Sequence, residues 1–227
     1  MKLLRTAIVV TMLGTAAMMQ TAQANITLAS LAGGGTITYG NLTFSDFSYN
    51  AGNLTSFNAA DVNVAVTETA GVYYLTWAGN ISLLSGNPPA TADLELQYAV
   101  TANAGAINSI DQSYNGNGLI TVTETVSTGS FGGTVVANST LSEYDLSDPP
   151  VEPGDNLGVV PAQTLLYVTK DISLGDLNND PYPTLSAVTQ SFHGVPVPEA
   201  TTVIAGALLM LPLGVSTLRI LRRNRIA

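Results

Sequence analysis

The chain has 227 residues, of which 10% are charged, 7 Lys+Arg against 16 Asp+Glu for a net charge of -9. It has no cysteine, which excludes a disulfide scaffold, thiolate chemistry and Cys-ligated metal. Its single histidine, His193, removes most histidine-based metal sites and makes any Ser-His-Asp arrangement depend on that one residue.

The charges are unevenly placed. Lys2 and Arg5 stand at the N-terminus, Arg219, Arg222, Arg223 and Arg225 at the C-terminus, and Lys170 is the only base between them. Residues 25–199 hold all 16 acids and carry about -15. Such a surface repels phosphate, so nucleic acid, nucleotides and anionic headgroups are not expected as its ligands.

Residues 1–24 read as a secretory signal peptide. Lys2 and Arg5 supply a positive start, an apolar run follows from Ala7 to Met19, and Ala22-Gln23-Ala24 gives the small-x-small pattern cut by signal peptidase. The alternative is an uncleaved anchor, but the run is shorter than the roughly 20 residues that a bilayer core requires. The mature chain is expected to begin at Asn25.

Residues 25–193 contain 20 Thr and, up to residue 199, 16 Ser and 16 Asn. Thr favours strands, while Asn, Ser and Gly serve turns, so the composition predicts an all-β body. Strands are expected near 35–39 and 42–49, and Val62, Val64 and Val66 alternate as a strand with one buried face. Gly71 to Trp77 carries large side chains on both faces, Val72 and Tyr74 against Tyr73, Leu75 and Trp77, as a central strand does. Another is expected near 80–84. From Ala92 to Thr101, Leu94, Leu96, Tyr98 and Val100 face one way and Asp93, Glu95, Gln97 and Ala99 the other. Ile120 and Val122 repeat the pattern, strands are expected near 131–144 and 184–193, and Leu166, Val168 and Ile172 alternate with Lys170 among them. Turn signals fall at Gly33-Gly34-Gly35, Gly52-Asn53, Gly79-Asn80, Asn87-Pro88-Pro89, Asn115-Gly116-Asn117-Gly118, Gly132-Gly133 and Pro149-Pro150. Eight or more short strands at this spacing predict one antiparallel β-sandwich or jelly-roll-like ectodomain.

Within this body the chemistry-bearing residues are sparse. His193 leaves the last expected strand toward a linker, and no Gly-x-Ser-x-Gly sequence accompanies it, so it reads as an exposed linker residue. Asp93 and Glu95 project from one strand face at a separation that carboxylate pairs use, but their companions Gln97 and Ala99 make it a wet outer face. Glu143, Asp145, Asp148, Glu152 and Asp155, threaded with Pro149, Pro150 and Pro153, read as a solvated loop.

Asp176, Asn178 and Asp180 alternate as calcium loops begin, with Asp171 as a substitute ligand. Pro181 and Ala187 stand where such loops use Gly and Glu, so an Asx-rich turn is the expectation and neither metal nor cofactor is predicted. Trp77, Tyr73 and Tyr74 are aromatics that stack on sugars if exposed; core packing explains them more cheaply.

The C-terminal region divides into a Pro-rich linker over 194–200, a transmembrane helix over 201–218 and a basic tail over 219–227. From Ala200 to Leu218 no residue is charged, and at 1.5 Å per residue this stretch nearly crosses the hydrocarbon core. Arg219, Arg222, Arg223 and Arg225 then stay cytoplasmic by the positive-inside rule, and the body faces outward. Pro212 lies within the helix, a position that membrane helices tolerate.

Ahead of the helix stands Val197-Pro198-Glu199-Ala200. A Pro-rich segment, a single helix and an Arg cluster together resemble the sorting tail of the PEP-CTERM proteins of Gram-negative bacteria. Pro198 and Glu199 match the Pro-Glu-Pro motif, and Ala200 replaces its second proline. The stretches 37–49 and 60–64 and Val168-Thr169-Lys170-Asp171-Ile172 are similar to segments of ectodomains in that family.

The resemblance implies processing by signal peptidase and by exosortase near the motif. It also implies delivery to the outer surface or extracellular matrix, in association with exopolysaccharide. The family has no common catalytic residue to carry over, so a non-enzymatic protein is expected. The alternatives are a carbohydrate-binding or adhesin module on an ordinary C-terminal anchor and, more distantly, a secreted hydrolase.

Overall fold

A computed structural model describes residues 26–83, 91–145, 154–175 and 182–195. The signal peptide with Ala22 and Ala24, the Asp176, Asn178, Asp180 turn, the Val197 to Ala200 motif, the helix and the arginine tail lie outside the described residues. Among the described residues no helix is long and apolar enough to cross a membrane.

The body is all-β, as expected, with one short helix. In chain order the elements are β1 (Ile26–Thr27), α1 (Leu28–Ala32), β2 (Ile37–Tyr39), β3 (Leu42–Asn50), β4 (Asn63–Thr69), β5 (Val72–Ser82) and β6 (Thr91–Ala102). They continue with β7 (Ala106–Thr128), β8 (Thr134–Asp145), β9 (Leu157–Gln163), β10 (Leu165–Gly175) and β11 (Thr184–Val195). The α1 turn was not expected from the sequence. Thr27 caps it, its hydroxyl accepting from the Ser30 amide, and Leu28 and Leu31 are buried in the core.

All strand pairs are antiparallel, and the sheet curls on itself in a jelly-roll-like way. One layer pairs β1, β4, β5, β11, the first half of β7 and β9. The other pairs β2, β3, β6, β10, the second half of β7 and β8. Strand β7 has 23 residues and belongs to both.

Two expected turns are corrected. The glycines at Asn115-Gly116-Asn117-Gly118 do not end a strand; β7 runs through them and changes layers there, pairing with β11 as far as Asn117 and with β8 from Gly118. Gly79-Asn80 likewise lies inside β5. At both places the flanking residues carry enough cross-strand pairing to continue the ladder, so tertiary context overrides the local turn preference. Strand β11 also continues through Gly194 and Val195, two residues past the expected end of the body.

The alternation read from the sequence sets the core. Leu94, Leu96, Tyr98 and Val100 of β6 are buried, as are Val64 and Val66 of β4 and Leu166, Val168 and Ile172 of β10. The two layers meet through aromatic rings: Trp77 lies 5.1 Å from Tyr98, and Phe44 lies 5.3 Å from Phe192. Phe44 and Phe47 are three apart yet both buried, because a bulge between Ser45 and Ser48, with Asp46 at φ 54°, resets the alternation. Each such ring contributes roughly 1.5–3 kcal/mol by leaving water.

The layer change in β7 depends on a missing side chain. Gly118 has φ 94°, and a Cβ there would stand 2.8 Å from Cα of Pro183. Gly129, at φ 84°, has nothing within 4 Å. Gly118→Ala combines backbone strain with a clash against main chain and is expected to cost about 2–4 kcal/mol. Gly129→Ala should cost only the strain, about 1 kcal/mol. Urea denaturation of the two variants measures the difference; equal losses would show that β7 has room at the crossing.

Candidate functional site

Two polar clusters stand out, one inside the body and one on its outer face. The outer cluster lies where β11 pairs with β7. Ser191 is opposite Asp111, and His193 is opposite Ser109. His193 Nε2 lies 2.6 Å from Asp111 Oδ2 and 3.1 Å from Ser191 Oγ, and Ser191 Oγ donates to the same Asp111 oxygen at 2.9 Å.

His193 is therefore not the linker residue expected from the sequence. It is held in the last strand by a cross-strand acid. The three residue types of a nucleophilic triad meet here, but the geometry does not form a relay. The acid and the serine both contact Nε2, whereas a triad needs them on opposite ring nitrogens. Ser191 also directs its proton at the carboxylate, and its side chain is buried. The arrangement ties β7 to β11. The cavity beside it, lined by Asn41, Tyr73, Phe192 and His193, measures only about 10 Å³, the space of one water.

Further along the same face a groove of about 310 Å³ is lined by Ser113, Tyr114, Asn115, Ser186, Ala187 and Thr189. It lies at the bulge between Leu185 and Ala187, where Ser186 Oγ donates to both the carbonyl and the side-chain oxygen of Asn115, each at 2.9 Å. Thr189 is hydrogen-bonded to Thr76 of β5 at 3.2 Å. The groove offers hydroxyls and amides and no carboxylate, amine or imidazole.

Of the three aromatics singled out for sugar stacking, only Tyr74 has its ring on this outer face, across from Ser191. Trp77 is 2% exposed, and Tyr73 packs edge-on against Tyr39 with its hydroxyl accepting from the Asn41 amide at 3.4 Å. The alternation of β5 decides this: Tyr73, Leu75 and Trp77 turn inward together.

The expected carboxylate pair sits on the outer face of the other layer, with Asp93 exposed and Glu95 half-buried, whereas Ala99, expected on the same wet face, is buried. Asp171 of β10 joins Asp93 and Glu95 there, opposite Glu95 in the register. No group of three acids or histidines capable of holding a metal occurs among the described residues. Partial burial, and then the charge of Asp93, pushes the Asp171 carboxyl above its ordinary range. Asp155, expected in a solvated loop, is instead folded back on β7 and β8: it accepts from the Gln112 amide at 2.7 Å and from the Ser139 hydroxyl.

The inner cluster was not expected from the sequence. Lys170, Glu124, Gln112 and Gln190 all point into the core and are at most 1% exposed. Lys170 Nζ donates to Glu124 Oε2 at 2.5 Å and to Gln112 Oε1 at 2.9 Å. Gln190 Nε2 donates to the Asp111 carbonyl at 2.8 Å and reaches Glu124 Oε1 at 3.5 Å. Burial raises the Glu124 carboxyl above the usual range, with Lys170 opposing that rise. The Tyr98 hydroxyl is raised by burial and then by the charge of Glu124. The signal for this cluster was Lys170 itself, occupying an apolar slot between Val168 and Ile172.

No protein-family model matches the chain. No curated protein matches it either. Among solved structures, TmCBM61 in complex with β-1,4-galactotriose aligns with a TM-score of 0.36 and 10% identity, over 64% of this chain and 88% of that one. A CBM4 structure aligns with a TM-score of 0.29 and 9% identity, over 63% and 81% of the two chains. A mutant of a carbohydrate binding module of family 29 aligns at 0.23 and 12% identity, over 64% and 92%. At such TM-scores the likeness assigns neither a ligand nor a site.

The Asp171 shift has a testable sign. Its folded-state affinity for a proton exceeds that of the unfolded chain, so ionisation costs stability above the ordinary carboxylate range and the cost vanishes when both states are protonated. Asp171→Asn should raise Tm at pH 7, and the gain should fade on acidification through about pH 4. A gain that grows on acidification would contradict the assignment.

Proposed function

We propose that the chain is an exported, non-enzymatic surface or matrix protein whose C-terminal segment is a sorting tail of the PEP-CTERM type. The observation that carries this reading is the order of the tail: Val197-Pro198-Glu199-Ala200, an uncharged stretch to Leu218, then Arg219, Arg222, Arg223 and Arg225. The arginines hold the end of the chain in the cytoplasm, the helix halts export, and the proline-flanked segment is left extended at the outer boundary, within reach of a membrane enzyme such as exosortase. The signal peptide at 1–24 starts the export. A Ser-His-Asp cluster that forms no relay, beside a water-sized cavity, supports a role other than catalysis.

Intact-mass measurement of the protein from its native host tests the reading. Cleavage near Glu199-Ala200 is expected, giving a chain that begins at Asn25 and lacks the helix. A surface form that retains Leu208 to Leu218 would sink it. Replacing Pro198 and Glu199 by Ala should trap the protein in the inner membrane. Neutral residues at Arg222, Arg223 and Arg225 should instead weaken retention and orientation, which fractionation distinguishes.

A second reading, a carbohydrate-binding or adhesin module on an ordinary anchor, is favoured by the groove lined by Ser113, Asn115, Ser186 and Thr189 on the face that carries Tyr74. Neutral hydroxyls and amides suit uncharged polyols, and a side-chain aromatic adds a stacking surface. Affinity electrophoresis in neutral polysaccharide gels tests it. Retardation abolished by Tyr74→Ala supports the module, whereas unchanged mobility across cellulose-, galactan- and dextran-type polymers removes it.

A further inference from the structure

We propose that Lys170 and Gln112 react with each other to form an internal amide crosslink between the two layers, with Glu124 as the proton carrier. The inference concerns the buried cluster and is independent of how the chain is sorted.

The reacting groups are already assembled. Gln112 lies on the first half of β7 and Lys170 on β10, so the two come from opposite layers. Nζ stands 2.9 Å from Gln112 Oε1 and 2.5 Å from Glu124 Oε2. Glu124 and Lys170 are direct register partners, so the carboxylate is held against the amine by the ladder itself.

The carboxamide can be oriented only one way. Its Nε2 donates to the Val122 carbonyl at 3.4 Å and to Ser139 Oγ at 2.7 Å, while its oxygen accepts from the ammonium. A carbonyl only accepts and an ammonium only donates, so a flipped amide would oppose both contacts. Ser139 in turn donates to Asp155, which is half-exposed, so a polar path leads from the amide nitrogen toward solvent.

The surroundings favour the uncharged form of Glu124. Apart from these groups the site is closed by core side chains, with Leu96 opposite Lys170 in the register. A buried ion pair bears a desolvation cost that a neutral amine and a neutral acid escape. Burial raises the Glu124 carboxyl toward the protonated form, in line with its accepting the lysine proton. Holding the amine against the carboxamide also supplies the effective concentration that makes a slow acyl transfer proceed.

The step balances without a co-reactant. Lys170 passes one proton to Glu124. The neutral Nζ adds to Cδ of Gln112, and a Nζ–Cδ bond forms. As the Cδ–Nε2 bond breaks, Glu124 gives its proton to the departing nitrogen and takes one from Nζ. Ammonia leaves, a secondary amide remains, and Glu124 is left as a neutral acid, the form that its burial favours. Nothing is oxidised or reduced.

Trypsin reads the outcome directly, because Lys170 is the only Lys or Arg between Arg5 and Arg219. The full chain, purified and then denatured, should resist cleavage after Lys170, since an acylated lysine is not a trypsin site. Its intact mass should be lower by one ammonia. Lys170→Arg, which keeps a cleavable residue that cannot be acylated, should be cut there and have its full mass. It controls for access whether or not the variant folds.

Glu124→Gln, purified with β-sheet circular dichroism, should also keep its full mass and be cut. A wild-type chain of full mass that is cut cleanly after Lys170 would overturn the proposal. Loss of water in place of ammonia would overturn the choice of Gln112, because it would join Lys170 to a carboxyl. A folded Glu124→Gln protein that still loses ammonia, with the bond mapped to Gln112 by fragmentation, would overturn the role given to Glu124.

Discussion

The continuity of β7 is the constraint on which the rest of the body depends. Its 23 residues alternate inward and outward almost without interruption, and at the crossing the inward positions are Gly116 and Gly118. A Cβ at Gly116 would stand 2.3 Å from Cδ1 of Ile120 and 2.8 Å from the Thr184 carbonyl, so the chain passes close to β11 only because nothing projects there. Once β7 crosses, β10 and β11 are placed on its two halves in opposite layers; β5, β4 and β1 add outward from β11, β6, β3 and β2 from β10, and β8 and β9 pair with β7 itself. The Tyr114 hydroxyl donates to the Ile120 carbonyl at 3.2 Å and spans the bend from within.

The same crossing creates the polar layer. Gln112 and Glu124 lie on one strand, yet they belong to different layers and face each other's neighbours, Gln190 and Lys170, across the core. Only a strand shared by both layers brings these four together. Their presence inside is costly unless every group is satisfied. Lys170 meets two acceptors, but the Tyr98 hydroxyl and Gln190 Oε1 have no hydrogen-bond partner.

Most of the fold was legible because alternation is a strong signal where one face is dry. Val64 and Val66, Leu94 to Val100, and Leu166 to Ile172 all point where their spacing indicates. The failures have a common cause. Between Ala106 and Asn117 the inward positions include Gln112 and Gly116, and an apolar count passes over both. The Asn-Gly repeats then suggest a turn where pairing on both sides keeps the chain extended. His193 looked solvated because its acid, Asp111, lies 82 residues away in sequence and meets it only through the ladder. Lys170 was visible as a base among apolar neighbours, but its partners come from other strands, and nothing local identifies them.

Charge distribution joins the interior to the surface. With Lys170 inside, the exposed side chains of the described residues include no Lys or Arg, and apart from His193 every ionisable group that can meet water there is acidic or phenolic. Acids such as Asp93, Glu95 and Asp171 crowd one face, and surface ion pairs with Lys or Arg are absent from it. Repulsion of this kind keeps copies apart in solution but works against the compact state, and salt screens it only beyond about 8 Å. With no cysteine in the chain, cohesion must come from the interior: from the aromatic contacts between layers and from whatever joins β7 to β10 through the polar core. The chain's one internal lysine is placed at that junction, where a bond to Gln112 would tie the two layers covalently while the exterior stays uniformly acidic.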